Sequence, residues 1–137
     1  MLSSFQEYSH FVYTIRDRYS SIRSSTLVLI PLGPLSGTLR GILEFDQGIT
    51  LRVLERIDFD AQSIDYYSYT VSQQGKVRYW YDPQPHPDAP SLASTHPHHK
   101  HVLPDIKHSR VPALDIRFDH PNLAFLIEEI ERDLLSP

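Results

Sequence analysis

Five of the eight histidines in this 137-residue chain fall between Trp80 and His101, in the stretch WYDPQPHPDAPSLASTHPHHKH: His86, His96, His98, His99 and His101. Histidine is the side chain whose ordinary charge change lies near neutral pH, so a packed group of them suits proton transfer, phosphate contact or metal binding. Three chemistries fit the run from His96 to His101. Imidazoles ligate zinc, copper and nickel. The spacing, however, matches neither a helical His-Glu-x-x-His pair nor a Cys/His finger, and Asp82, Asp88 and Asp105 stand at no recognisable ligand spacing. Metal-free cleavage of RNA needs a base for the 2′-hydroxyl proton, an acid for the leaving oxygen and a cation for the developing phosphorane charge. His99 and His101 are the acid and base candidates, Lys100 and Arg78 the phosphate contacts, with His86 and Tyr81 in support. The third reading is an exposed loop whose histidines only cap turns. No motif calls for a cofactor.

Composition sets the platform. At 137 residues, with 40% hydrophobic and 22% charged residues, the chain is expected to fold as a single domain with a real core. A net charge of −4 argues against coating nucleic acid by bulk electrostatics and leaves room for a local basic surface. There is no cysteine, which removes thiol catalysis, disulfides and thiolate metal sites. No apolar run is long enough to span a membrane and the N-terminus lacks the pattern of a secretion signal, so a soluble cytoplasmic protein with no membrane partner is expected.

The elements that must position the histidines are readable from periodicity. Ser4 and Glu7 form a capping box, and Phe5, Tyr8, Val12, Ile15 and Tyr19 recur at helical spacing, predicting a helix over about 4–19. From Ser25 the period becomes two. Strands are predicted over about 25–31, 37–45, 49–57, 63–72 and 76–82, the middle ones joined by the turns Asp46-Gln47-Gly48 and Gln73-Gln74-Gly75. Short links imply an antiparallel meander. Between Asp82 and Pro121 lie seven of the eleven prolines and seven of the eight histidines, which predicts a long His/Pro-rich loop over 83–120. A closing helix is predicted over 121–135, with Pro121 at its first position, Leu123, Leu126, Ile127, Ile130 and Leu134 facing the core, and Glu128, Glu129, Glu131 and Asp133 solvated. The expected fold is α+β, a five-stranded antiparallel sheet packed by N- and C-terminal helices.

Alternation then sorts the sheet residues by face. Leu39, Leu43, Phe45, Ile49, Leu51, Val53 and Ile57 share the apolar face with Glu55. A carboxylate there is costly unless it is paired or hydrogen-bonded. Three roles are open to it: an ion pair with a nearby arginine, a strand end reaching water, or a general acid or base at the core rim. Thr38, Arg40, Glu44, Thr50, Arg52 and Arg56 line the opposite face. Lys76, Arg78 and Trp80 join them by alternation, and Tyr67 and Tyr69 do so if the fourth strand has the matching phase. Arginines interleaved with aromatics are what a single-stranded RNA platform needs, which makes Arg40, Arg52, Arg78, Trp80 and Tyr81 substrate-binding candidates. A solvated face of Arg–Glu cross-strand pairs is the alternative.

Trp80-Tyr81-Asp82, then Pro85-His86, then Pro97-His98-His99-Lys100-His101, preceded by GTLRGILEFDQGITLRVLE and the tyrosine-rich strand Tyr66 to Tyr69, resembles the TumE family of toxins over roughly residues 10 to 135. The chain departs from that pattern where Pro83-Gln84-Pro85 intervenes after Asp82, and His108 to His120 looks individual to it. The resemblance implies the toxin half of a bacterial type II toxin–antitoxin pair, with a small helix-turn-helix antitoxin as partner. RNA as target, with metal-independent endoribonuclease action, is what the company of other small toxins implies. Self-association stays open. The alternatives are a non-enzymatic protein- or nucleic-acid-binding module, or a metal-dependent hydrolase.

Overall fold

The computed structural model describes residues 3–83, 98–103, 110–113 and 115–135. Its order is α1 (Phe5–Tyr13), the one-turn α2 (Ile15–Arg18), β1 (Ile22–Ser25), β2 (Val28–Pro31), β3 (Ser36–Phe45), β4 (Ile49–Asp58), β5 (Ser63–Gln73), β6 (Lys76–Asp82), β7 (His99–His101), β8 (Arg110–Pro112) and α3 (Leu123–Ile130). The final turn, Glu131–Leu135, widens into a π-helical form. The Ser4 hydroxyl accepts from the Glu7 N–H at 3.2 Å, as the capping box predicts. The first helix is not continuous to residue 19, because Thr14 leaves helical geometry (φ −111°, ψ 16°).

The architecture is α+β with an open antiparallel sheet, as expected, but the sheet runs seven strands across, in the order β1-β3-β4-β5-β6-β7-β8, with β2 also on β3. Two differences explain the count. The predicted strand over 25–31 is two segments, and the break falls where the chain crosses Gly41. A Cβ there would lie 2.6 Å from the Thr26 carbonyl oxygen, and Gly41 has φ +144°. The Thr26 hydroxyl takes over locally by accepting from the Ile42 N–H at 2.9 Å. The second difference is larger. The predicted loop over 83–120 contains β7 and β8, three residues each, so the Pro-His-His-Lys-His element extends the sheet. A three-residue strand with polar side chains carries no readable period, and its pairing energy comes from the β6 edge it covers.

The tight links behave as their residues require. Gln74 and Gly75 both sit at positive φ (51° and 80°), the two-residue hairpin turn whose twist matches the flanking strands. The core lies between one sheet face and the helices. Leu39, Leu43, Ile49, Leu51, Val53 and Ile57 of β3 and β4 pack with Tyr8, Val12 and Ile15 and with Leu123, Leu126, Ile127 and Ile130. Tyr67 and Tyr69 join this buried face, not the open one; the register Glu55↔Tyr67 and Val53↔Tyr69 sets that phase. The closing helix starts at Leu123 with Asn122 before it, two residues later than Pro121 suggests. Asn122 is fully buried: its side chain accepts from the Arg117 N–H and donates to the Arg117 carbonyl and to the Tyr69 hydroxyl. Glu129 is buried too, so the acidic side of α3 is not wholly solvated.

Candidate functional site

Strand β7 decides how the histidines are arranged. It pairs with β6 in the register Trp80↔His101, Tyr81↔Lys100 and Asp82↔His99. Successive side chains of a strand leave on opposite faces. His99 and His101 therefore share one face with Trp80 and Asp82, while Lys100 goes to the other with Tyr81. A single constellation of His99, Lys100 and His101 is not formed. Extended backbone splits it.

On the first face, the His101 Nε2 lies 3.2 Å from an Asp82 carboxylate oxygen, and the Trp80 indole N–H donates to that same oxygen at 3.1 Å. The Trp80 and His101 rings stack at 4.4 Å between centroids. A carboxylate beside one imidazole nitrogen helps to fix the ring's orientation. His99 stands beside this pair across from Asp82. Both histidines are buried, at 1% and 3% exposure. Asp82 is the residue that the sequence reading left out of the site. Its position at the end of the Trp-Tyr-Asp step becomes meaningful only once β7 is seen to pair there.

The candidate cations are spread out. Arg78 occupies a bulge, with Val71 opposite Tyr79 and Ser72 opposite Val77, and donates to the Gln73 side-chain oxygen. Arg52 and Arg40 are exposed on β4 and β3. The row Arg52↔Thr70↔Trp80↔His101 sets Arg52 three strands from His101, about 14 Å at ordinary strand spacing.

The second face is a set of tyrosine–acid pairs under the helices. The Lys100 ammonium lies 3.0 Å from Glu129, 4.3 Å above the Tyr79 ring and 5.4 Å above that of Tyr81. The Tyr81 hydroxyl donates to the same Glu129 oxygen at 2.8 Å. Burial first, then the Glu129 charge, pushes the Tyr79 and Tyr81 phenols up, so both stay neutral. Beside them a cavity of about 260 Å³ is lined by Tyr81, Lys100, Ala113, Asp115, Phe125 and Glu129, among others. His98, just before β7, meets the Tyr67 hydroxyl through Nδ1 at 2.6 Å and packs against Phe118.

Glu55 belongs to this buried side and is remote in kind from His99 and His101. It is fully buried, and among the described residues its partners are hydroxyls rather than an arginine. The Tyr8 hydroxyl donates to one carboxylate oxygen at 2.5 Å and the Tyr69 hydroxyl to the other. Burial raises its pKa, and the two hydroxyls oppose that rise without cancelling it. His86 lies outside the described residues, as does His96. Among the described residues, no three His, Asp or Glu side chains converge as a metal site.

The family model for Toxin TumE matches residues 13–134, from the end of α1 to the π-helical turn. The chain belongs to the TumE family. No curated protein and no solved structure matches it. The match spans both faces of the sheet and the whole of β6, β7 and α3. Membership in TumE makes the protein a toxin, and a toxin implies an antitoxin partner. Among the described residues, no helix is long and apolar enough to cross a membrane.

Proposed function

We propose that this TumE protein is the toxin half of a type II pair, restrained by a small helix-turn-helix antitoxin, and that it cleaves RNA without a metal. The observation that carries this reading is the Asp82–His101 pair, stacked against Trp80, two residues along β6 from Arg78. In that arrangement Asp82 orients His101, which takes the 2′-hydroxyl proton. His99 returns a proton to the leaving oxygen, and Arg78 faces the charge that gathers on phosphorus. Lys100 is assigned to holding Glu129 and α3, and Glu55 to holding α1, rather than to the reaction.

The near-complete burial of His99 and His101 favours a second reading: a non-enzymatic binding module in which the pair is a structural tie between β6 and β7. RNA can reach the imidazoles only if this face opens. One experiment separates the two. Purified protein is incubated with RNA in EDTA, beside the His101→Ala and Asp82→Asn variants. The ribonuclease reading predicts EDTA-resistant cleavage that falls at least ~100-fold in His101→Ala, the usual share of a general acid or base. RNA binding with no cleavage by the wild type supports the module instead.

A further inference from the structure

We infer that Arg40, Arg52 and Arg56 form a docking tract for the phosphate backbone of single-stranded RNA, distinct from the Asp82–His101 pair and resting on the reading of RNA as target. The register sets the three cations around one residue. Arg40 on β3 stands opposite Leu54 of β4, and Arg52 and Arg56 lie two positions to either side of Leu54 on that strand. Diagonal neighbours of this kind are about 7–8 Å apart. Three like charges on adjoining strand positions repel one another, and sheet faces ordinarily offset such charges with cross-strand carboxylates.

Among the described residues that offset is not made by an ion pair: none of the three guanidiniums is within ion-pair distance of an acid. Glu44 stands at the far end of β3, opposite Thr50. The Asp58 carboxylate accepts from the N–H groups of Asp60 and Ala61, at 2.9 Å each. All three arginines are exposed. The face therefore presents open donors over a partly apolar floor: a groove of about 380 Å³ runs past Thr26, Val28, Arg40, Arg52 and Leu54.

Guanidinium forks match phosphate oxygens in geometry as well as charge. Rings follow the same surface. The Arg56 guanidinium lies 5.6 Å over Tyr66, and the row through Thr70 leads to Trp80 at the Asp82–His101 pair. Cations interleaved with ring faces, leading to a histidine pair, favour a single nucleic-acid strand over an acidic protein segment. With a net charge of −4 on the whole chain, the contact must be local and small in number.

The test is fluorescence anisotropy of a short labelled oligouridylate over a range of salt, on the full chain and on the triple variant Arg40→Gln, Arg52→Gln, Arg56→Gln. Circular dichroism checks that the variant is folded. Each phosphate contact to a single strand contributes about 0.7 to the slope of log K on log salt, so losing three lowers the slope by about 2. An unchanged slope overturns the tract, as does a triple variant that escapes antitoxin neutralisation yet binds RNA normally. Cleavage is read separately. A slope that falls in a protein that does not cleave keeps the tract and sinks the ribonuclease reading. Cleavage with an unchanged slope does the reverse.

Discussion

Removing one hydroxyl from the core gives a magnitude that can be worked from the geometry. Tyr69→Phe deletes a group with two jobs: it donates to Glu55 and accepts from the Asn122 amide. Losing a hydrogen bond to a charged partner costs about 1.5–3 kcal/mol, and leaving a buried donor unsatisfied costs about 1–3 kcal/mol more. Asn122 keeps its bond to the Arg117 carbonyl, so the lower part of the second range applies. The expected loss is roughly 3–4 kcal/mol, a large share of a small domain's stability. Tyr8→Phe removes only a bond to Glu55 and should cost about 1.5–3 kcal/mol. Urea unfolding of both variants, with m held in common, reads the difference directly. If Tyr69→Phe costs no more than Tyr8→Phe, or either lies within about 0.5 kcal/mol of wild type, then the Tyr8–Glu55–Tyr69–Asn122 chain does not tie the helices to the sheet.

Two further outcomes follow from the buried acids. The Glu55 carboxyl has its pKa raised above the ordinary 4.5 by burial, so the folded state holds the proton longer than the unfolded state does. Stability from this group is thus present at low pH and is lost as pH rises from about 4.5 through the folded value. Glu55→Gln removes that slope, and melting curves at stepped pH should show wild type losing ground to the variant across that window. Parallel curves would refute the assignment. Lys100→Met leaves Glu129 buried with the Tyr81 hydroxyl and no cation. Breaking such a pair costs about 3 kcal/mol by urea titration, at the low end for buried pairs because Lys100 is part-exposed. A Lys100 that serves only to touch substrate would lose no stability when replaced.

How far the fold could be read depended on the kind of signal each residue carries. The capping box at Ser4, the hairpin turn at Gln74-Gly75 and the alternation of β3 and β4 are local, and each appears in the structure where its residues place it. The α+β class followed from them. Three features were not legible because they depend on partners far away in sequence. The strand His99–His101 exists through its pairing with β6, and its own residues have no apolar period. The break at Thr26 is dictated by Gly41 on the neighbouring strand. Glu129, in an acidic run that suggests solvent, is buried because Lys100 and Tyr81 meet it from the sheet.

The candidate site was half legible for the same reason. The types and spacing of His99 and His101 marked the element that the structure shows as a strand on β6. Their separation from Lys100 and their pairing with Asp82 and Trp80 needed the register. Glu55 was visible as an anomaly on an apolar face, but its two tyrosine partners come from α1 and β5 and no local pattern announces them.

The most direct test of the central claim is growth arrest on induced expression. Wild type, His101→Ala and Asp82→Ala are compared at equal soluble levels, with and without the proposed helix-turn-helix antitoxin. If the toxin acts through the Asp82–His101 pair, wild type arrests growth, the proposed antitoxin relieves the arrest, and both variants fail to arrest. If His101→Ala and Asp82→Ala arrest growth as wild type does, the pair is a structural tie between two strands and the toxin acts elsewhere.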